Sequence, residues 1–146
     1  MTVKRMDNVG IVFADLQAAI AFFRELGLEL DGEMTIDEDW AARIVGLPGQ
    51  VVDIAMMRTP DGHTRLELMS YRTPDMITPT PENPPANTLG IRRLMFAVDD
   101  LEDTLRRLRT HGAELVGEVV NYNDTYLMCY LRGPEGVIIA LAEELR

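Results

Sequence analysis

Apolar and polar residues alternate in two short stretches of the chain. Val9, Ile11 and Phe13 are separated by smaller or polar residues, and Leu94, Phe96 and Val98 repeat the arrangement. A period of two marks a strand with one buried face. In both places helical spacing follows, through Leu16, Ala19, Ile20 and Phe23 in the first and Leu101, Leu105 and Leu108 in the second. Asp15 opens the first helix, and Asp99 or Asp100 the second, because an aspartate carboxylate accepts the amides left free in the first turn. Gly27 and Gly112 supply the left-handed residue that ends each helix. Strands are predicted next over 28–34 and 113–120.

The remainder of each half reads as two strands joined by a turn. The first pair is VVDIAMMRTPDGHTRLELMS, turning at Pro60-Asp61-Gly62, and the second is TYLMCYLRGPEGVIIALAEE, turning over 133–136. The halves also match in sequence. Asp15 falls on Asp100, Leu16 on Leu101, Ile20 on Leu105, Phe23 on Leu108 and Gly27 on Gly112, a constant offset of 85 residues. An ungapped match of this kind marks a duplicated unit. The layout is α+β, a βαβββ module made twice, with module one over about 4–72 and module two over about 90–146. Between them, 73–89 carries prolines at 74, 79, 81, 84 and 85 and is expected to be an extended linker. The segment 35–50, with DEDWAARIVGL, is an insertion in module one, expected to form a short helix or flap.

Charge narrows the partners. With 24 acidic and 14 basic residues in 146, the net charge is −10, which repels nucleic acid and anionic membranes and suits a cationic small molecule if a charged partner matters. Solubility alone is the simpler account of the acids. The single cysteine, Cys129, excludes an internal disulfide and reads as a small core residue. No apolar run is long enough to cross a bilayer and the N-terminus does not read as a leader, so a cytoplasmic protein is expected.

The stretches DNVGIVFADLQAAIAFFRELGLEL, GHTRLELM, GIRRLMFAVDDLEDTLRRLRTHGAEL and LRGPEGVIIALAEEL resemble the vicinal oxygen chelate superfamily. That superfamily includes glyoxalase I, methylmalonyl-CoA epimerase, extradiol dioxygenases and bleomycin-resistance proteins. The resemblance spans nearly the whole chain. It implies that the two modules pair into an open, cup-shaped barrel, and that the protein is a homodimer. In catalytic members it implies one divalent metal in the cup, held from the first strand and the late strand of each module by histidine, glutamate or glutamine. Carried onto this chain, those four positions fall on Asn8, Glu67, Arg93 and Ala140.

Three of the four are poor or impossible ligands. A guanidinium is permanently protonated, alanine has no donor atom, and Asn8 offers only an amide oxygen. The alternation turns Asn8 to the face opposite Val9, and Arg93 and Met95 to the face opposite Leu94 and Phe96. Arg93 is then expected to point into the cup, either paired with Glu67 or anchoring an anionic group of a ligand, with Arg92 solvated at the strand edge. Burial of Arg93 against Glu67 would make its loss costly. His63, in a turn, and His111, beside Gly112, match no ligand position and read as surface residues.

The expected function is a metal-independent small-molecule-binding or sequestration protein of the glyoxalase/bleomycin-resistance type. Its ligand would sit in a cup lined by Asn8, Glu67, Arg93, Met95 and Trp40, with no cofactor. Trp40, among acids in the insertion, would lie on a flap; capping of the barrel edge explains it equally well. Asp53, Tyr122, Asp124, Tyr126 and Tyr130 could add polar groups, and most of the nine methionines read as core, Met95 excepted. The alternative is a lyase, epimerase or dioxygenase-like enzyme with a degenerate or shifted metal site, or with Glu67 as a metal-free general base; a divalent metal belongs to that alternative alone. A partner-binding module acting through its surface is a third class, with no groove motif to support it.

Overall fold

Both strand–helix pairs form where the alternation predicts them in the computed structural model, which describes residues 2–146. The first unit, running to Ile77, contains β1 (Asn8–Val12), α1 (Leu16–Leu26), β2 (Glu29–Ile36), α2 (Asp39–Val45), β3 (Val51–Arg58) and β4 (Arg65–Thr73). The second, from Thr78, contains β5 (Arg93–Val98), α3 (Leu101–Arg109), β6 (Glu114–Leu115), β7 (Val120–Tyr122), β8 (Tyr126–Arg132) and β9 (Ile138–Glu144). The predicted strand over 113–120 is instead two short pieces, because a bend at Val116-Gly117 interrupts it. The insertion does form a short helix, α2, closed by Gly46 at φ 73°.

Each unit is an open mixed sheet covered on one face by one long helix. The first runs β1-β4-β3-β2 and the second β5-β9-β8-β6, with β7 also on β8. In both, the first strand pairs parallel with the last, and the remaining pairs are antiparallel. Under α1 the core is Phe13, Phe22, Phe23, Ala55, Met57, Leu66 and Leu68. The Phe22 and Phe23 rings meet edge to face at 5.2 Å. Under α3 the buried set is Leu101, Leu105, Leu108, Leu131, Ile139 and Leu141, with Cys129 among them as a core residue. Burial raises the Cys129 thiol pKa, which keeps it protonated and unreactive.

The helix ends follow from single residues. Asp15 accepts the Ala18 amide at 3.0 Å and Asp100 the Asp103 amide at 3.0 Å, so Asp100 rather than Asp99 is the cap of α3. A second carboxylate reaches the same end: Glu143 of β9 accepts the Leu101 amide at 2.7 Å and ties helix to sheet. At the other end of α1, Gly27 has φ 121°, and the amides of Gly27 and Leu28 both return to the Phe23 carbonyl. No strand or helix forms over 74–92. That stretch is nonetheless anchored, since Arg132 donates to the carbonyls of Pro84 at 2.8 Å and Gly136 at 2.9 Å. No helix among the described residues is long and apolar enough to cross a membrane.

Replacing Asp100 with alanine is expected to cost about 1 kcal/mol in urea unfolding through loss of the cap. Asp99→Ala, at an exposed neighbour without that bond, is expected to stay within about 0.5 kcal/mol of the parent.

Candidate functional site

A strand buried on one side must show its other residues on the far face, and Asn8, Glu67, Arg93, Met95 and Ala140 all lie on such faces of their own sheets. On the first sheet Asn8, Gly10 and Val12 of β1 lie on the face opposite Val9 and Ile11, as the alternation predicts. The register pairs Gly10 with Glu67, and Glu67 with Met56. Glu67 is half-buried between small and apolar neighbours. A side chain at position 10 would come within 3.0 Å of the Met69 methyl, so this glycine makes room for a methionine laid across β1.

The second sheet repeats this register. Met95 pairs with Ala140, as Gly10 pairs with Glu67, and the 85-residue offset carries Gly10 onto Met95. Glu67 and Ala140 therefore occupy equivalent places in the two modules. Arg93 and Met95 are exposed on the face away from α3, and Met95 shows 53% of its surface. The Arg93 guanidinium lies over the Tyr130 ring, 5.0 Å from its centroid. Arg93 stands on β5 and Tyr130 on β8, the strands that flank β9; neighbouring strands are spaced about 4.8 Å apart. Two long side chains meet across that gap because the β9 residue beside Tyr130 is Ala140, with only a methyl group to clear.

Several sequence expectations need correction. Arg93 is exposed, so the burial that would make its removal costly is not present. Arg92, expected to be solvated, is half-buried, and its Nε is shielded without a hydrogen-bond partner. Among the methionines Met57 is core, but Met34, Met56, Met69, Met95 and Met128 all sit on the far faces, Met34 and Met95 exposed and the other three partly buried. Methionine is thus the lining of the sheets rather than their filling. Asp53 is on the helix side of its sheet, where it accepts from Thr35 at 2.6 Å and Arg72 at 2.9 Å. The Arg72 guanidinium, and then the Thr35 hydroxyl, hold its carboxyl below the ordinary range. Asp124 belongs to the turn between β7 and β8, hydrogen-bonded to Asn121.

Trp40 lies on α2 and is 54% exposed, with Ile44 and Val45 beside it also exposed. His63 is exposed in the β3–β4 turn, where its amide donates to Asp61, and His111 is exposed after α3. The residue that sequence reasoning underrated is Tyr130, weighed only as one of several polar groups. Its signal was available: Tyr126, Met128 and Tyr130 alternate along one strand, and Asn123-Asp124 is the turn that fixes the strand's register. Both turn residues adopt positive φ, 50° and 53°, as a tight hairpin requires.

A family model for the Glyoxalase/Bleomycin resistance protein/Dioxygenase superfamily matches residues 5–141. The chain belongs to that superfamily. A crystal structure of a glyoxalase family protein from Bacillus cereus is 51% identical over 100% of this chain and 97% of its own, with a TM-score of 0.95. A glyoxalase/dioxygenase from Nostoc punctiforme (22% identity, 98% and 92% covered, TM-score 0.69) shares the fold. So does the trypanothione-dependent glyoxalase I of Leishmania major (18%, 97% and 88%, TM-score 0.69). No curated protein matches the chain.

A divalent metal, which the superfamily resemblance implies for catalytic members, requires lone-pair donors. Here the corresponding places hold an amide, one carboxylate, a guanidinium and a methyl group. Among the described residues no three or more His, Cys, Asp or Glu side chains gather where an ion could be held. The donor set does not fit a metal of this kind.

Three outcomes are expected. Ala140→Leu should part Arg93 from Tyr130 and overpack a residue that is 1% exposed, lowering stability by about 1–3 kcal/mol. Arg93→Gln, which removes only an exposed cation–π contact, should cost about 0.5–1 kcal/mol; chemical denaturation compares the two. For Asp53 the folded pKa lies below the unfolded value, so its contribution is present above about pH 4 and lost as pH falls through the folded value. Arg72→Ala should flatten that acid-side loss in a pH series of melting temperatures, and the effect should be small because Arg72 is largely exposed.

Proposed function

We propose that the chain binds and sequesters a small molecule without a metal, using the far faces of its two sheets, with Trp40 on α2 acting as a flap. The observation that carries this reading is the matched register. Glu67 beside Gly10 and Ala140 beside Met95 are equivalent places in the two modules, which supports reading Ala140 as a position where a donor has been replaced. What replaces them is an adaptable apolar surface of methionine and tyrosine with few fixed polar groups, the usual composition of a ligand site. Asn8, Glu67, Arg93 and Met95 are the residues assigned to the ligand. A homodimer belongs to the same reading and rests on family membership.

Three measurements test it. Elemental analysis of protein purified without chelator should find no stoichiometric Mn, Fe, Ni or Zn. A one-to-one metal that disappears on Glu67→Ala would instead support a lyase, epimerase or dioxygenase-like enzyme. Binding should also alter the fluorescence of the single tryptophan. Titration calorimetry against a library of small acids, amides and amines that yields no binder would remove the sequestration reading.

A further inference from the structure

We infer that the ligand is a small carboxylate with an apolar body, and that Arg93, oriented by Tyr130 above Ala140, takes its carboxylate group. This deepens the proposed function and rests on it. Five arginines lie within strands: Arg58, Arg65, Arg72, Arg93 and Arg132. Arg58 is held by Glu29 and Asp31, Arg65 by Asp7, Arg72 by Asp53, and Arg132 by two carbonyls. Arg93 alone among them has, within its own module, neither an ion pair nor a hydrogen bond among the described residues. In a chain with 24 acids and 14 bases, a strand arginine with neither a carboxylate nor a carbonyl partner in its module stands apart from the other four.

Its one described contact leaves its donors available. The guanidinium carbon lies over the Tyr130 ring at 5.0 Å from its centroid, a cation–π contact that occupies none of its five N–H donors in a described hydrogen bond. The fork that a carboxylate accepts in bidentate fashion is therefore available, and the ring contact limits the rotamer freedom that would otherwise be lost on binding. Ala140 completes the arrangement. A glutamate there would stand beside Tyr130 on the strand between the two partners and supply Arg93 with an internal counterion. The alanine that removes a metal ligand therefore also leaves the arginine unneutralised.

The neighbours fit the rest of such a ligand. Met95 and Met128 lie on the same face, each paired with an alanine of β9, and Tyr126 extends the apolar surface along β8. Thioethers and ring edges accept a range of apolar shapes and offer no partner for a cation's hydrogen bonds. The negative net charge points the other way, toward cations, but it acts through solvent with a screening length of about 8–10 Å. A charge-assisted contact at hydrogen-bond distance outweighs that diffuse field.

The test uses the full-length protein and matched trios of probes: 3-phenylpropanoate, 3-phenylpropanamide and 3-phenylpropylamine, with cyclohexyl and branched-alkyl counterparts. Calorimetry gives affinity, and the methyl resonances of Met95 and Met128 give location. The expected result is that at least one carboxylate binds ten-fold or more tightly than its amide and amine, and shifts both methyl signals. Arg93→Gln should reduce that carboxylate to the level of its amide, Arg93→Lys should keep part of the preference, and circular dichroism should show both variants folded. Equal binding of acid and amide, tighter binding of the amine, or a carboxylate preference that survives Arg93→Gln would overturn the assignment while leaving ligand binding intact. If no probe binds or moves either methyl signal at millimolar concentration, the inference and the proposed function fail together.

Discussion

One helix can cover only one face of a sheet, and in each half of this protein a four- or five-stranded sheet receives one long helix. The covered faces are closed by leucine, isoleucine and phenylalanine, and they resemble any small core. The opposite faces must present something else along the same strands, residue by residue in alternation. That constraint explains why Val9 and Asn8, or Leu94 and Arg93, are chain neighbours with unlike environments. It also explains why methionine is spread over surfaces that a soluble protein would otherwise fill with charge.

Within those faces the chemistry is decided by how much space a central position leaves. Gly10 lets Met69 lie across β1, and Ala140 lets Arg93 reach Tyr130 across β9. Gly10 is exposed and Ala140 buried, and each determines which long side chain its neighbours can extend. The duplicated architecture has therefore diverged at equivalent places, with a carboxylate on one central strand and a methyl group on the other. Membership of a superfamily that includes metal enzymes is compatible with this, because function depends on the residues at the site and not on the fold that carries them.

The short helix α2 is the part of module one without a counterpart in module two. Its buried side is only Ala41 and Ala42, so little apolar area fixes it, while Trp40, Ile44 and Val45 face outward.

The amino-acid sequence by itself determined the modules, because period-two and helical spacing, aspartate caps and helix-ending glycines are local signals repeated at a fixed offset. It also determined which strand residues oppose each other across the backbone, since a side chain's face follows from its place in the alternation. Chemistry alone excluded Arg93 and Ala140 as metal ligands. What the tertiary structure decided were matters of pairing. The partner of Arg93 is Tyr130, 37 residues away in the chain, and only the insertion of β9 between β5 and β8 brings them within reach. Asp53 is tied on the helix side of its sheet by the Arg72 guanidinium and the Thr35 hydroxyl, partners on neighbouring strands that only the pairing brings to it. The methionines were misassigned to the core for the same reason. Hydrophobicity says that a residue can be buried, but the number of helices available to cover a sheet says whether it is.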